Sequence, residues 1–386
     1  MYARLLNSEN SSFFLFGPRG VGKSFWVRNH FSNFFEVDLL KTGVELKYRQ
    51  NPNLFQKEIK ALPKGSWVFI DEVQKLPSIL DEVHSLIETK NLNHKFILTG
   101  SSARKLKKDG ANLLAGRVKT LHMYPLTIKE LGADFNLENS LMYGNLPKSV
   151  LAENNQERID FLQAYTETYL KEEIQREAAV KNLSSYLRFL KISAICNGQK
   201  INLSSLSRDS GVERSTAQGY LQVLVDTLLG ELLQPLALKF RVKEVGHPKF
   251  YYFDCGVIRS LNNMIYDPLD STEKGLQFET LILNELKSYN RYNKIGGEFY
   301  YWGTNDGHEV DFIYTRGKKA VGIEIKSTKK WRNEYSKSLE LLLDAKKIQS
   351  AYGVYWGEEV LNHNQVTILP LKVFVEKLWN NELKLF

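Results

Sequence analysis

The stretch Gly17-Pro18-Arg19-Gly20-Val21-Gly22-Lys23-Ser24 fits G-x-x-x-x-G-K-[ST] directly after the apolar run Phe13 to Phe16. Glycines there let backbone N–H groups turn toward phosphate oxygens, Lys23 brings a point charge, and the Ser24 hydroxyl suits Mg²⁺. A helix starting near Gly22 adds the positive end of its dipole. These residues predict a nucleoside triphosphate site; the bland alternative is an ordinary Gly-rich turn. Further along, Trp67-Val68-Phe69-Ile70-Asp71-Glu72 is an apolar strand ending in two carboxylates. Asp71 suits the Mg²⁺ water shell and Glu72 the orientation or deprotonation of an attacking water, against a strand followed by an acidic helix cap. In Phe96-Ile97-Leu98-Thr99-Gly100-Ser101-Ser102, Ser101 is the choice for a polar sensor of the γ-phosphate, unless the turn merely needs serines. Arg117, closing Leu113-Leu114-Ala115-Gly116-Arg117, reads either as an arginine finger acting across a subunit interface or as a structural surface arginine.

A second set of chemistry-bearing residues lies near the carboxyl end. Glu309-Val310-Asp311-Phe312-Ile313 and Gly322-Ile323-Glu324-Ile325-Lys326 read as two strands. Residues i and i+2 of a strand share a face, so Glu324 and Lys326 point together, and a hairpin would bring Asp311 beside them. Two carboxylates suit Mg²⁺, with Asp311 and Glu324 as ligands and Lys326 orienting the activated water. Glu279, on the amphipathic helix Gln277–Tyr289, is the outer member. Basic and aromatic residues nearby, Lys329, Lys330, Arg332, Tyr300, Tyr301, Trp302 and Trp331, suit a nucleic-acid groove or, for the aromatics, a strand core. His247 and His308 lack metal-ligand spacing and read as structural or surface groups.

Between these sets, Ile201 to Leu221 has the order of a helix-turn-helix, with Gly211 at the turn. Arg214, Ser215, Thr216 and Gln218 stand at the start of its second helix, where base edges are read, and Arg208, Lys239, Arg241 and Lys243 are candidates for phosphate contact. Only Arg214 is cationic on that helix and Glu213 opposes it, so packing between domains is an equal reading.

The elements that position these groups follow from periodicity. Strands are expected at Phe13–Phe16, Phe34–Val37, Trp67–Ile70, Phe96–Leu98 and Lys119–Met123, alternating with helical patterns as in a parallel sheet wrapped by helices. A helical connector covers Glu157 to Asn197, with Tyr169 and Ile174 among its apolar positions; alternating strands follow around Leu232–Phe240 and Lys249–Phe253. From Gly275 the order is helix, three strands, helix, strand, and the Asn-rich stretches near 133–140 and 261–272 read as loops or linkers. At 386 residues two or three domains are expected. The net charge of +8 permits an anionic partner without identifying one. Cys196 and Cys255 lack the spacing for zinc or a disulfide framework, and no apolar leader or membrane-length run is seen, which points to the cytoplasm.

With the phosphate-binding loop and the Asp71-Glu72 strand in place, about the first 130 residues resemble an AAA-type P-loop ATPase module, with Asp71-Glu72 in the Walker B position. Tyr169-Leu170-Lys171-Glu172-Glu173-Ile174 and Pro248-Lys249-Phe250-Tyr251-Tyr252-Phe253-Asp254 resemble the uncharacterised domain that commonly follows this module. Glu279, Asp311, Glu324 and Lys326 resemble the PD-(D/E)xK nuclease superfamily, without the usual proline before the strand acid. The resemblance implies an α/β chain in three parts. These are an AAA-type ATPase domain at 1–150, a helical connector with a winged-helix-like region at 151–265, and an α/β PD-(D/E)xK-like domain at 266–386. It further implies ATP and Mg²⁺ as cofactors, DNA as partner, assembly into a homo-oligomer, and nucleotide control of a metal-dependent nuclease. Alternatives are a non-cutting nucleotide-dependent switch that binds DNA or protein, and an ATPase acting on another protein.

Overall fold

The computed structural model describes residues 2–89, 91–102, 114, 116–169, 182–240, 243–383 and 385. Leu113, Ala115, Leu170, Lys171, Glu172, Glu173, Ile174 and Arg241, singled out above, lie outside the described residues. The chain forms two compact units, one of Ala3–Tyr124 with Val223–Leu229, the other of Met1–Tyr2, Pro125–Gln222 and Gly230–Phe386. Apart from Val223–Leu229, the residues from Pro125 onward thus fall in one unit.

The amino-terminal unit is built on strands β1 (Phe13–Phe16), β2 (Phe34–Asp38), β3 (Trp67–Asp71), β4 (Lys95–Gly100) and β5 (Lys119–His122), in the order β2-β3-β4-β1-β5. Every pairing is parallel. β1 is buried at all four positions, as an uninterrupted apolar run requires when both faces of a parallel sheet are covered. Helices α1 (Lys23–His30), α2 (Thr42–Gln50), α3 (Pro52–Lys60) and α4 (Ile79–Glu88) run between strands. α3 starts where the Asn51 side chain accepts from the Leu54 N–H and Pro52 takes the first turn. β1 coincides with the expected run and β5 stops one residue short at His122, whereas β2, β3 and β4 outrun the expected apolar stretches because the ladder continues into polar ends: Asp38 pairs with Asp71, and β4 extends to Gly100. That extension carries the carboxylates to the strands' carboxyl ends.

The second unit holds a six-stranded sheet ordered β13-β14-β12-β11-β10-β9. Its strands are β9 (Glu298–Gly303), β10 (Glu309–Arg316), β11 (Lys319–Lys326), β12 (Ser350–Tyr355), β13 (Leu361–His363) and β14 (Val366–Pro370). β9, β10 and β11 form an antiparallel meander, and β11 then pairs in parallel with β12. A small antiparallel sheet, β6 (Gln199–Lys200), β8 (Lys249–Tyr252) and β7 (Gly230–Leu233), accompanies the helices Leu183–Ile195, Leu203–Ser210 and Arg214–Asp226. The expected strand at Leu232–Phe240 stops at Leu233, because Pro235 has no N–H for a ladder and only bridges to Tyr301. The Asn-rich stretch near 133–140 includes a cap: Asn136 accepts from the Asn139 N–H and starts the helix Leu137–Tyr143. No helix among the described residues is long and apolar enough to cross a membrane.

The long helix α5 (Ser271–Tyr292) crosses the six-stranded sheet, burying Phe278, Leu281, Ile282 and Leu286 in a core shared with Phe312, Ile323 and Val354. Glu285 on this helix is buried at 1% exposure and accepts from the Ile128 N–H at 2.7 Å and the Trp379 Nε1–H at 2.6 Å. Burial pushes its carboxyl up to about 7, despite these donors. A carboxyl raised in the folded state binds a proton the unfolded chain has already released, so its contribution is full below about pH 4.5 and lost as pH rises through 7. Glu285→Gln is therefore expected to flatten the fall in melting temperature between pH 5 and 7. An unchanged slope would show that Glu285 stays ionised.

Candidate functional site

Gly17 follows β1 and hydrogen-bonds through its N–H to the Gly100 carbonyl at 3.3 Å. A Cβ at Gly17 would stand 2.3 Å from the Met123 carbonyl oxygen, so only glycine lets the loop pass here. Gly20 and Gly22 take φ of 87° and 94°, in the left-handed region, and Gly22 caps α1. Lys23, 5% exposed, donates from Nζ to the Gly17 carbonyl at 2.7 Å and the Pro18 carbonyl at 3.1 Å. Its ammonium thus spans the loop formed by Pro18, Arg19, Gly20 and Val21.

Ser24 Oγ donates to Asp71 Oδ1 at 2.7 Å. Thr99 Oγ1, at the end of β4, donates to the same carboxylate oxygen and accepts from the Glu72 N–H at 3.1 Å. Arg28 reaches Asp71 Oδ2 at 3.4 Å and Glu36 at 2.6 Å. Burial drives the Asp71 carboxyl upward while these donors oppose it. The juxtaposed hydroxyl and carboxylate oxygens are the hard donor set that Mg²⁺ takes, and Ser24 and Asp71 fit that ion. Glu72 sits in the left-handed region at φ 58°, which turns its side chain toward Gln74 and Ser101. Gln74 Nε2 donates both to Glu72 Oε2 and, at 2.8 Å, to Ser101 Oγ. Arg117 instead pairs with Glu88 on α4, both half exposed.

Ser24, Asp71, Glu72 and Ser101 are thus brought together as their spacing suggested; Thr99, Gln74 and Arg28 are members that it did not single out. Thr99 had a signal: it lies in the same small-polar run as Ser101, on the strand next to β3.

Residues 9–132 match the family described as AAA domain. This stretch is an AAA-type P-loop ATPase domain. Two domains of unknown function follow the AAA domain, DUF8612 over residues 134–267 and DUF4143 over residues 274–374. An uncharacterized protein of Mycobacterium tuberculosis is 26% identical over 264 residues, 68% of this chain and 58% of that one. One of Methanocaldococcus jannaschii is 22% identical over 364 residues, 86% of this chain and 79% of that one. The chain thus spans 58% of the length of its mycobacterial relative. Among solved structures, the replication initiator DnaA bound to AMPPCP and single-stranded DNA is 14% identical. That match covers 57% of this chain and 83% of the other, with a TM-score of 0.26.

Beyond the AAA domain, the second unit gathers the other predicted residues. Asp311 and Glu324 stand opposite each other where the β10–β11 ladder ends. Asp311 Oδ2 accepts from the Ile325 N–H at 2.8 Å, and Lys326 Nζ pairs with Glu324 and lies 3.7 Å from Asp311 Oδ2. A register shift between Val310 and Ile313, where β10 meets β9, takes in Asp311 and Phe312; bulges re-aim side chains in this way. Glu279 of α5 accepts from the Tyr251 hydroxyl at 2.7 Å. Burial, then the Asp311 charge, pushes Glu279 and Glu324 upward, and the neighbouring ammoniums pull back.

A residue that sequence reasoning passed over sits among these acids. Lys249 Nζ lies 2.5 Å from Glu309, 3.8 Å from Glu279 and 4.0 Å from Asp311, and its side chain is 5% exposed. β8 has period two, so Lys249 and Tyr251 share a face and both meet Glu279. Burial works against the Lys249 charge, but Glu279, Asp311 and Glu309 outweigh it and its pKa is raised. Among the described residues, no group of three or more His, Cys, Asp or Glu forms a metal centre. With an ammonium already among the carboxylates, Asp311 and Glu324 do not fit a resident divalent ion in this arrangement.

Proposed function

We propose that the protein is an ATP-binding and hydrolysing switch associated with DNA, and that its terminal acid cluster is catalytically silent. The hydrogen-bonded chain from Ser24 through Asp71 and Thr99 to the Glu72 N–H carries the reading, since it couples the nucleotide loop to the acid that would act on water. Mg²⁺ bound with ATP supplies positive charge at the phosphates, with Ser24 and Asp71 to hold it. Lys23 leaves the Gly17 and Pro18 carbonyls for the phosphate oxygens, an exchange of neutral acceptors for charged ones. Glu72 orients the attacking water and takes its proton, with its carboxylate positioned by Gln74 and Ser101. Assembly into a homo-oligomer, with Arg117 released from Glu88 to reach a neighbouring active site, belongs to the same proposal.

DNA is proposed from the exposed Arg214, Ser215 and Gln218 at the start of the helix Arg214–Asp226, whose Ala217, Tyr220 and Leu221 are buried. Gly211, at φ 66°, makes the turn between the two helices, and Arg208, Lys239 and Lys243 are exposed. The expected result is duplex binding whose logarithm falls linearly with the logarithm of salt concentration, with a shallower slope in Arg208→Ala/Arg214→Ala. Binding that ignores salt would remove DNA as the partner and leave a protein ligand to be sought.

Metal-dependent cleavage is the second reading, favoured by the convergence of Glu279, Asp311, Glu324 and Lys326. Its test is incubation with single-stranded, duplex and branched DNA in Mn²⁺, beside Lys326→Ala. Cutting that is lost in the variant while ATP turnover stays intact would replace the first reading; no cutting on any substrate would retire the second.

A further inference from the structure

Four carboxylates, Glu279, Glu309, Asp311 and Glu324, converge at one end of the β10–β11 hairpin. Left bare, such a cluster would attract a divalent ion or bind protons. Here the chain supplies its own cations. Lys326 engages Glu324, and Lys249 enters from β8 to lie within 4.0 Å of the other three. Lys249 is built into place: it is almost fully buried, its Nζ stands 5.4 Å from the centre of the Tyr301 ring, and Glu309 is held from its other side by Lys200 at 2.7 Å. The Tyr251 hydroxyl, on the same face of β8, fixes Glu279 for it. All four acids lie within the stretch matched as DUF4143, whereas Lys249 lies within the preceding DUF8612.

We infer that Lys249 is the resident cation of the acid cluster, occupying the place among Glu279, Glu309 and Asp311 that a divalent metal would otherwise take. The inference deepens the non-cutting reading above and rests on it for its functional meaning. An ammonium offsets part of the acids' charge but has no open coordination position, so it cannot activate a water as a metal does. Removing it leaves a carboxylate-rich cavity whose uncompensated charge favours a hard cation.

The experiment titrates Mn²⁺ into the full-length chain without nucleotide, by calorimetry and by the electron paramagnetic resonance of the free ion. Wild type, Lys249→Met, Lys249→Met/Asp311→Asn and Asp311→Asn are compared; any binding at Ser24 and Asp71 is common to all. The expected result is one additional Mn²⁺ site in Lys249→Met, at least tenfold tighter than any site the wild type loses with Asp311→Asn, and absent from the double variant. Melting provides a second readout: Mn²⁺ should raise the lowered midpoint of Lys249→Met by several degrees more than that of the wild type. Two outcomes overturn the inference: no additional site in folded Lys249→Met, or an equally tight wild-type site lost with Asp311→Asn. Should Lys249→Met not fold, Lys249→Gln, which keeps a polar group in the cavity, replaces it in the same titrations. DNA binding without salt dependence would defeat the functional reading while leaving this metal titration to be decided separately.

Discussion

Lys23→Ala should lose ATP binding by about a hundredfold or more, while Glu72→Gln should bind ATP normally and turn it over about a hundred to ten thousand times more slowly. The two effects separate because the residues act at different stages. Lys23 lies across the loop carbonyls and supplies the ammonium that meets the phosphates, so its loss is felt as soon as phosphate arrives. Glu72 meets Gln74 and Ser101 on the other side of Asp71, and glutamine keeps its size while abolishing its capacity to take a proton. Equilibrium binding of a fluorescent ATP analogue, beside phosphate release under saturating ATP, distinguishes the two. Turnover that persists in Glu72→Gln would pass the role of base to another group; binding that persists in Lys23→Ala would remove the loop's assignment.

Arg259→Met should cost about 3–5 kcal/mol of stability, because it removes a fully buried guanidinium and leaves the partly buried Glu273 carboxylate and two backbone carbonyls without their donor. Arg259 is fully buried on the helix Cys255–Leu261, pairs with Glu273 at the start of α5, and also donates to the carbonyls of Met264 and Asp267. It joins the segment at 262–272 to the long helix that carries Glu279. Arg259→Met/Glu273→Met should recover part of the loss, since matched apolar replacement of a buried pair is far less costly than removing one partner. Urea unfolding of the three variants and the wild type measures the coupling as a double-mutant cycle. Equal stability of wild type and Arg259→Met would show that the pair contributes no net stability.

The nucleotide loop and the Asp71-Glu72 pair were legible because their geometry is local. A run of glycines before Lys23 and a strand ending in acids each declare their backbone within a few residues. The terminal group was legible for a related reason: i and i+2 on one strand, with a short hairpin, bring Asp311, Glu324 and Lys326 together without knowledge of the rest. Glu279 needed only a helix packed on that sheet. Lys249 was not legible, since its place depends on a strand some sixty residues before the hairpin and on Glu309, which looked like an ordinary strand start. Alternation of Lys249 and Tyr251 was visible, but not which acids lay opposite. Gln74 was hidden by the left-handed turn at Glu72, which no spacing rule anticipates for a non-glycine residue. Pro235 could have ended the predicted strand at once, had its missing donor been weighed above the apolar alternation around it.

The entry of β8 into the acid cluster changes where this protein can be divided. A fragment cut at 266 would contain the whole six-stranded sheet and α5, and so look self-sufficient as architecture. It would nevertheless keep only Lys326 and carry Glu279, Glu309 and Asp311 without Lys249. Recombination at that junction would transplant a shape while altering its electrostatics, so the smallest transferable piece is larger than the sheet and includes the strand that brings Lys249.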